Sequence, residues 1–311
     1  MLDKRLIRFD GGGGATADIP VAEARGARPG PVLTLLAGVH GCEYAPMAAL
    51  RTFMRGLDPD RLRGTVRAVL MANPAAFRER TPFVTPVDGK NLNRCFPGDA
   101  GGSYSDRLAD FLFRRFVLGS DALIDLHAGD QAEALEPYTL YDESAVADRA
   151  AQLATGYGLP LVIRQPAAGA AVAGSTSAAA AQAGIPAIIA EAGGCGLVTP
   201  EAVELHLTGL RRTADHLGIT DTGTAWPDPP GLRHLTRFDW LRTGVEGWWQ
   251  PEIAPGAEVS RGALLGRVTD PFGEELEAVH ADESGVVAFL TTSPAVTEGG
   301  LLLAIAGAPC P

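Results

Sequence analysis

The feature that most limits how this chain can fold is the alternation of short apolar runs with segments of helical period. Strand-like runs fall at residues 6–9, 32–38, 65–71, 122–126, 161–163 and 187–190, and helix-like patterns at 44–55, 105–117, 144–157, 177–183 and 200–217. Alternation of the two periods is the mark of βαβ units. The expected fold class is therefore α/β, with a mostly parallel mixed sheet flanked by helices. The Ala-rich stretch 166–183 has low complexity, yet Ser175, Thr176 and Ser177 offer a helix cap and small side chains allow close packing on a sheet, so it is read as structure. A chain of 311 residues, 46% of them hydrophobic, can bury one large core and a smaller one.

The segment 218–231, GITDTGTAWPDPPG, concentrates turn residues and prolines and reads as a boundary. It separates a domain of residues 1–220 from a β-rich module of residues 232–311. From residue 245 onward, short apolar runs are divided by turns at PEIAPGAEV, RVTDPFGEEL and HADESGV, the pattern of a small all-β barrel-sandwich. That shape resembles lipoyl and biotinyl carrier modules. The lysines of the chain are Lys4 and Lys90, so the module has no lysine to carry a swinging arm.

A net charge of −11 and a pI near 5.0 argue against a nucleic-acid partner, because no stripe of Lys and Arg exists to neutralise phosphates. The apolar stretches are far shorter than the roughly 20 residues of a spanning helix, and no membrane partner is expected. The opening MLDKRLIRFD lacks the apolar core of a signal peptide, which makes the cytoplasm the default location. Cys42, Cys95, Cys195 and Cys310 have no paired spacing and read as scattered small hydrophobes. Gly11 to Gly14 is a flexible turn, lacking the context of a phosphate loop. His206, His216, His234 and His280 share no ligand spacing and are expected in surface or capping roles. Trp248 and Trp249 are expected in a core or interface, and an aromatic from this module could reach over a cleft.

The chemistry is concentrated where apolar runs end. In LLAGVHGCEYAPMAAL, His40 and Glu43 follow a strand pattern, with Gly38 and Gly41 bracketing the histidine as a sharp, crowded turn requires. H-x-x-E alone is more often a capping turn. A hydrolytic zinc site needs a third protein ligand, with the fourth position left to water, and His127 in LIDLHAGD ends another strand pattern. Ligands at the carboxyl ends of two strands converge in the crevice of an open α/β sheet. Asp125, two residues earlier, either satisfies local backbone or supports His127. In KNLNRCFPG, Asn93 and Arg94 lie in a loop; the fork of the arginine suits a carboxylate, although an isolated loop arginine is commonly a solvated charge. Glu191 ends the apolar run of AIIAEAGGCG, as either a cap or a base aimed into the crevice.

Taken in order, G-x-H-G-x-E, N-x-N-R-x-F-P-G, D-L-H and E-A-G-G resemble the succinylglutamate desuccinylase/aspartoacylase family, a deacylase branch of the zinc carboxypeptidase fold. The resemblance covers residues 33–217, and the C-terminal β module is also similar to that of family members. It implies one Zn²⁺ per chain, bound by His40, Glu43 and His127, with Glu191 as general base and acid and with Asn93 and Arg94 receiving a substrate carboxylate. It also implies an upstream arginine for the oxyanion. In aspartoacylase-like members this arginine lies in a Thr-Arg-Tyr triplet, where the present chain has Thr81-Pro82-Phe83, leaving Arg80 or Arg78 as candidates. Asn91 stands where relatives often place an aspartate that orients the first histidine, and it can still accept from a ring N–H. The implied reaction removes a small acyl group from an N-acylated amino acid or related amide. A zinc carboxypeptidase acting on peptides would use the same ligands in a wider cleft, and a non-catalytic small-ligand binding protein would have no need of Glu191. The sequence leaves a homo-oligomer open.

Overall fold

In the computed structural model, which describes residues 1–166 and 173–308, the polypeptide first lays down β1 (Leu2–Asp10), β2 (Thr16–Arg25), β3 (Arg28–Ala37), β4 (Arg63–Val69) and β5 (Ala122–His127). There follow β6 (Glu133–Leu135), β7 (Tyr138–Asp142), β8 (Leu161–Gln165), β9 (Ala187–Glu191) and β10 (Arg233–Leu235). All but β6 join one sheet in the order β1-β2-β4-β3-β5-β9-β7-β8-β10. Neighbours from β4 through β3 and β5 to β9 run parallel, as do β7, β8 and β10. The pairs β1-β2, β2-β4 and β7-β9 are antiparallel, so the sheet is mixed.

Helices α1 (Tyr44–Gly56), α2 (Pro74–Glu79), α3 (Tyr104–Leu112), α4 (Ala147–Tyr157), α5 (Thr176–Gln182) and α6 (Pro200–His216) cover the sheet. Alternation along β3 sends Leu35 to one face, with apolar residues of α1, α4 and α6, and Leu36 to the other, with those of α3 and α5. The central strand β5 is buried along its whole length, as expected of a strand covered on both faces. Ser175 caps α5, accepting from the Ala178 N–H at 3.1 Å. Residues 167–172 of the Ala-rich stretch, and Cys310, lie outside the described residues.

Several elements differ from expectation. The run at 6–9 is part of a longer hairpin with β2, joined through the turn at Gly11 to Gly14; Pro20 and Glu23 disguise β2. Buried Thr139 and Asp142 hide β7 in the same way, because polar residues break its apolar run. The helix expected at 105–117 is α3 followed by a wider turn, Phe113–Val117.

The C-terminal strands are β11 (Arg237–Arg242), β12 (Gly247–Pro251), β13 (Glu258–Val259), β14 (Leu264–Thr269), β15 (Glu275–His280), β16 (Gly285–Thr291), β17 (Ala295–Val296) and β18 (Leu301–Gly307). They form two small antiparallel sheets, β11-β18-β16-β13 and β15-β14-β12-β17, around Leu241, Trp249, Leu265, Val268 and Leu303. Trp249 is in this core, whereas Trp248 is exposed. The two parts of the chain exchange strands. After the Pro-rich segment β10 pairs with β8 of the large sheet, and β6 leaves the N-terminal part of the chain to pair with β16. Tyr138, Leu140, Ile163 and Ile189 pack against Val286, Ala288 and Ala306 and weld the two together. Among the described residues, no helix is long and apolar enough to cross a membrane.

Candidate active site

The turn between β3 and α1 carries His40 and Glu43. Gly38 has φ 69°, and at Gly41 a Cβ would lie 2.2 Å from the Ala76 carbonyl carbon, so both glycines are required for this crowded path. Glu43 occupies the cap position of α1 without capping it, which leaves its carboxylate free to turn inward. Oε1 lies 2.6 Å from His40 Nδ1; Oε2 lies 2.9 Å from His127 Nδ1 and accepts the Ala128 N–H at 3.1 Å. One ligand atom from each of the three residues falls within 4.8 Å of the others, and all three residues are buried.

The far nitrogens of the rings determine what this corner can hold. His40 Nε2 is 3.1 Å from Asn91 Oδ1, an oxygen that also accepts the Asn93 N–H. His127 Nε2 is 3.1 Å from Asp125 Oδ1 as an ion-pair contact, and Asp125 is fully buried with neither carboxylate oxygen hydrogen-bonded among the described residues. The Asn91 oxygen sets His40 Nε2 as a donor, and the Asp125 carboxylate beside His127 Nε2 favours a proton on that nitrogen too, the tautomers in which both Nδ1 lone pairs face the Glu43 carboxylate. Three electron-rich atoms so arranged repel one another unless a cation lies between them, and two imidazoles with one carboxylate suit a divalent ion of the zinc type. The titration behaviour agrees. Burial opposes ionisation of Glu43, yet His40 and His127 hold its pKa down at about 2. Burial likewise opposes a charged His127, but Asp125 and Glu43 carry its pKa well above the usual histidine value. The corner attracts positive charge, whether proton or metal.

Glu191 ends β9, paired with His127 on one side and Tyr138 on the other. Burial, with help from the Glu43 and Glu133 carboxylates, raises its pKa well above the ordinary glutamate value against the pull of His127. Such a carboxyl holds a proton more readily than an ordinary glutamate does, which suits a group that must both accept and return one. Asn93 Oδ1 accepts the Thr176 N–H at 3.0 Å, which turns its amide Nδ2 toward the site, 3.3 Å from His127 Nε2. Arg94 donates from Nη1 to the Asn93 carbonyl at 2.8 Å and lines the same cavity. That cavity measures about 440 Å³ and is closed on its far side by Phe238, Trp240, Phe289 and Leu301 of the C-terminal module. Its size is that of a small-molecule site.

Arg78 and Arg80 are not brought there. Both are exposed and line a separate depression with Tyr44, Met47, Leu70 and Phe77. Arg80 ends α2 in a left-handed conformation at φ 54°, and Pro82 then turns the chain so that Phe83, not an arginine, enters the site with its ring centroid 6.1 Å from that of His40. Among the described residues, Arg94 is the one Lys or Arg lining the cavity. Cys42 and Cys195 do not line it.

Glu133 and Tyr138 line the cavity without any sequence signal having marked them. Burial and the nearby Glu43 carboxylate raise Glu133 to about 7. His206 is a correction of another kind. It is fully buried, donates from Nε2 to the Ala192 carbonyl at 3.1 Å and accepts the Tyr157 hydroxyl on Nδ1 at 2.9 Å. The spacing Ala202, His206, Leu210 along the apolar face of α6 was the available clue. His216, His234 and His280 are exposed as expected.

The sequence profile of the succinylglutamate desuccinylase/aspartoacylase catalytic domain matches residues 29–217. The N-alpha-acetyl-L-2,4-diaminobutyric acid deacetylase of Halomonas elongata is 30% identical over 286 residues, covering 89% of this chain and 82% of that protein. Among solved structures, the product-bound ectoine utilization protein EutE (DoeB) from Ruegeria pomeroyi superposes with a TM-score of 0.87 at 22% identity, covering 98% and 95% of the two chains. A succinylglutamate desuccinylase/aspartoacylase from Rhodobacter sphaeroides does so with a TM-score of 0.86 at 24% identity, covering 100% and 96%. The chain is an amide-bond hydrolase and belongs to the succinylglutamate desuccinylase/aspartoacylase family.

Proposed function

We propose that the protein is a zinc-dependent deacylase of small N-acylated amino acids, using a carboxypeptidase-type hydrolase domain of residues 1–220 whose cleft is closed by the module of residues 232–311. The observation that carries this reading is the convergence of the His40, Glu43 and His127 ligand atoms within 4.8 Å, with Glu191 on the strand beside His127. In this reading His40 Nδ1, Glu43 and His127 Nδ1 hold the ion, while Asn91 and Asp125 keep the two lone pairs aimed at it. Zinc in this place supplies an acidified water, with a pKa of about 7, and polarises the acyl carbonyl. Glu191 accepts the proton of the attacking water and delivers it to the leaving amine nitrogen, so that a carboxylic acid and a free amine depart. Arg94 and the Asn93 amide receive the carboxylate of the substrate. The cavity of about 440 Å³, walled by Phe238 and Phe289, favours an amino-acid-sized substrate over a peptide. The name of the Halomonas relative makes N-acetyl amino acids the first compounds to test.

Metal analysis of the purified protein, followed by a screen of acetyl, succinyl and formyl amino acids, tests the reading directly. Glu191→Gln should retain one zinc per chain and lose about 1000-fold in kcat, in line with removal of a general base. Near-normal turnover by that variant overturns the role given to Glu191.

A further inference from the structure

We propose that Glu133 recognises a second, positively charged amino group on the substrate, so that the site is built for an N-acylated diamino acid; this rests on the deacylase reading above. Glu133 is no loose surface acid. It stands opposite Thr291 in the β6-β16 ladder, and both residues line the cavity. Its N–H donates to the Asp130 carbonyl at 3.1 Å, and its own carbonyl accepts the Cys195 N–H at 2.8 Å from the turn that follows Glu191. That turn passes so close that a Cβ on Gly194 would lie 2.3 Å from the Glu133 carbonyl oxygen. The residue is thereby tied to the turns after both site strands and to the wall supplied by the C-terminal module. A position held so firmly from three sides can set specificity.

Its carboxylate has no matching cation. No ion pair involves Glu133 among the described residues, and the charged groups that act on it are Glu43, Asp130 and His40. The carboxyl is half-buried at the cavity wall, and burial together with Glu43 has pushed Glu133 up to about 7, so that a cation brought beside it would favour its charged form. The charge balance of the cavity points the same way. Among the described residues, Glu43, Glu133 and Glu191 are acidic groups lining the cavity and Arg94 is its one Lys or Arg, so the wall offers more acidic than basic groups to a substrate. An ordinary N-acyl amino acid would add one more negative charge. An N-acyl diamino acid enters with none, its carboxylate directed to Arg94 and its ammonium to Glu133, while Phe238 and Phe289 cover the methylenes between.

The test compares Nα-acetyl-2,4-diaminobutyrate with Nα-acetylnorvaline, which carries a methyl in place of the terminal ammonium. Zinc-loaded wild type should prefer the former by roughly 10- to 100-fold in kcat/KM, the range of one charged hydrogen bond. In Glu133→Gln, a near-isosteric change, the preference should collapse to about 3-fold or less, mainly through KM, and Glu133→Asp should recover part of it. Calorimetric titration of the free diamino acid product reads the same contact without turnover and should weaken in parallel. Equal losses on both substrates in Glu133→Gln, or a wild type with no preference, overturn the assignment while leaving the deacylase reading intact. No turnover of either compound by the wild type overturns this assignment, and the deacylase reading falls with it only if the acetyl, succinyl and formyl amino acids of the wider screen are also left intact.

Discussion

His127 and His206 are both buried and stand on either side of Ala192, whose N–H donates to the His127 carbonyl at 3.2 Å and whose carbonyl accepts from His206. Their chemistry is nonetheless opposite. His127 faces two carboxylates and is drawn toward its charged form; His206 faces a phenol and a peptide carbonyl and is held neutral, with its pKa lowered to about 4 by burial. Equal burial thus yields a cation-seeking corner on one side of a strand end and a dry brace on the other. The neighbours decide which, because the cost of desolvating an imidazolium is offset by a carboxylate and not by a neutral dipole.

The largest expected effect comes from breaking the charged side. On the metal-dependent deacylase reading, His127→Ala should reduce bound metal to near zero and turnover by at least about 1000-fold; a variant that keeps stoichiometric metal breaks the comparison. Next is the dependence of stability on pH, measured by denaturant unfolding in the presence of a chelator. His206 titrates at about 4 folded and 6.5 unfolded, so its contribution is complete above 6.5 and is lost as pH falls toward 4. The slope should approach 1.4 kcal/mol per pH unit, for roughly 3 kcal/mol in all. His127, with its folded pKa raised, should show the reverse, its contribution present at low pH and lost as pH rises through that value. His206→Gln should flatten the acid limb and His127→Gln the other limb; a shared sign for the two variants contradicts the account. The smallest effect is expected for Tyr157→Phe, which leaves His206 Nδ1 without its donor and should cost about 1 to 2 kcal/mol, read as a shift in the unfolding midpoint at constant m.

Much of the candidate site was legible in the sequence because its residues sit where apolar runs stop. His40 follows a buried strand and His127 and Glu191 end one, and a parallel sheet delivers such positions to one edge whatever the length of chain between them. The glycines around His40 were readable for the same local reason. Arg78 and Arg80 show where that logic fails. Their nearness to the motif in sequence counted for nothing once the left-handed end of α2 and Pro82 had redirected the chain, and Phe83 took the place inside. Glu133 and Tyr138 were invisible because β6 and β7 are short, partly polar strands whose pairing partners lie far along the chain, at Thr291 for one and Glu191 for the other.

By itself, the order of apolar and polar residues determined an α/β sheet with two imidazoles and two carboxyl groups at its strand ends, since period and side-chain chemistry are local properties. Which face of each imidazole turns to Glu43, which histidine is drawn toward positive charge and which is held neutral, and which wall closes the cavity were decided by tertiary structure alone. Those outcomes depend on the partner across a gap of a few ångströms, and in a folded chain that partner is supplied by segments as distant as Asn91 is from His40 or Phe289 is from Leu135.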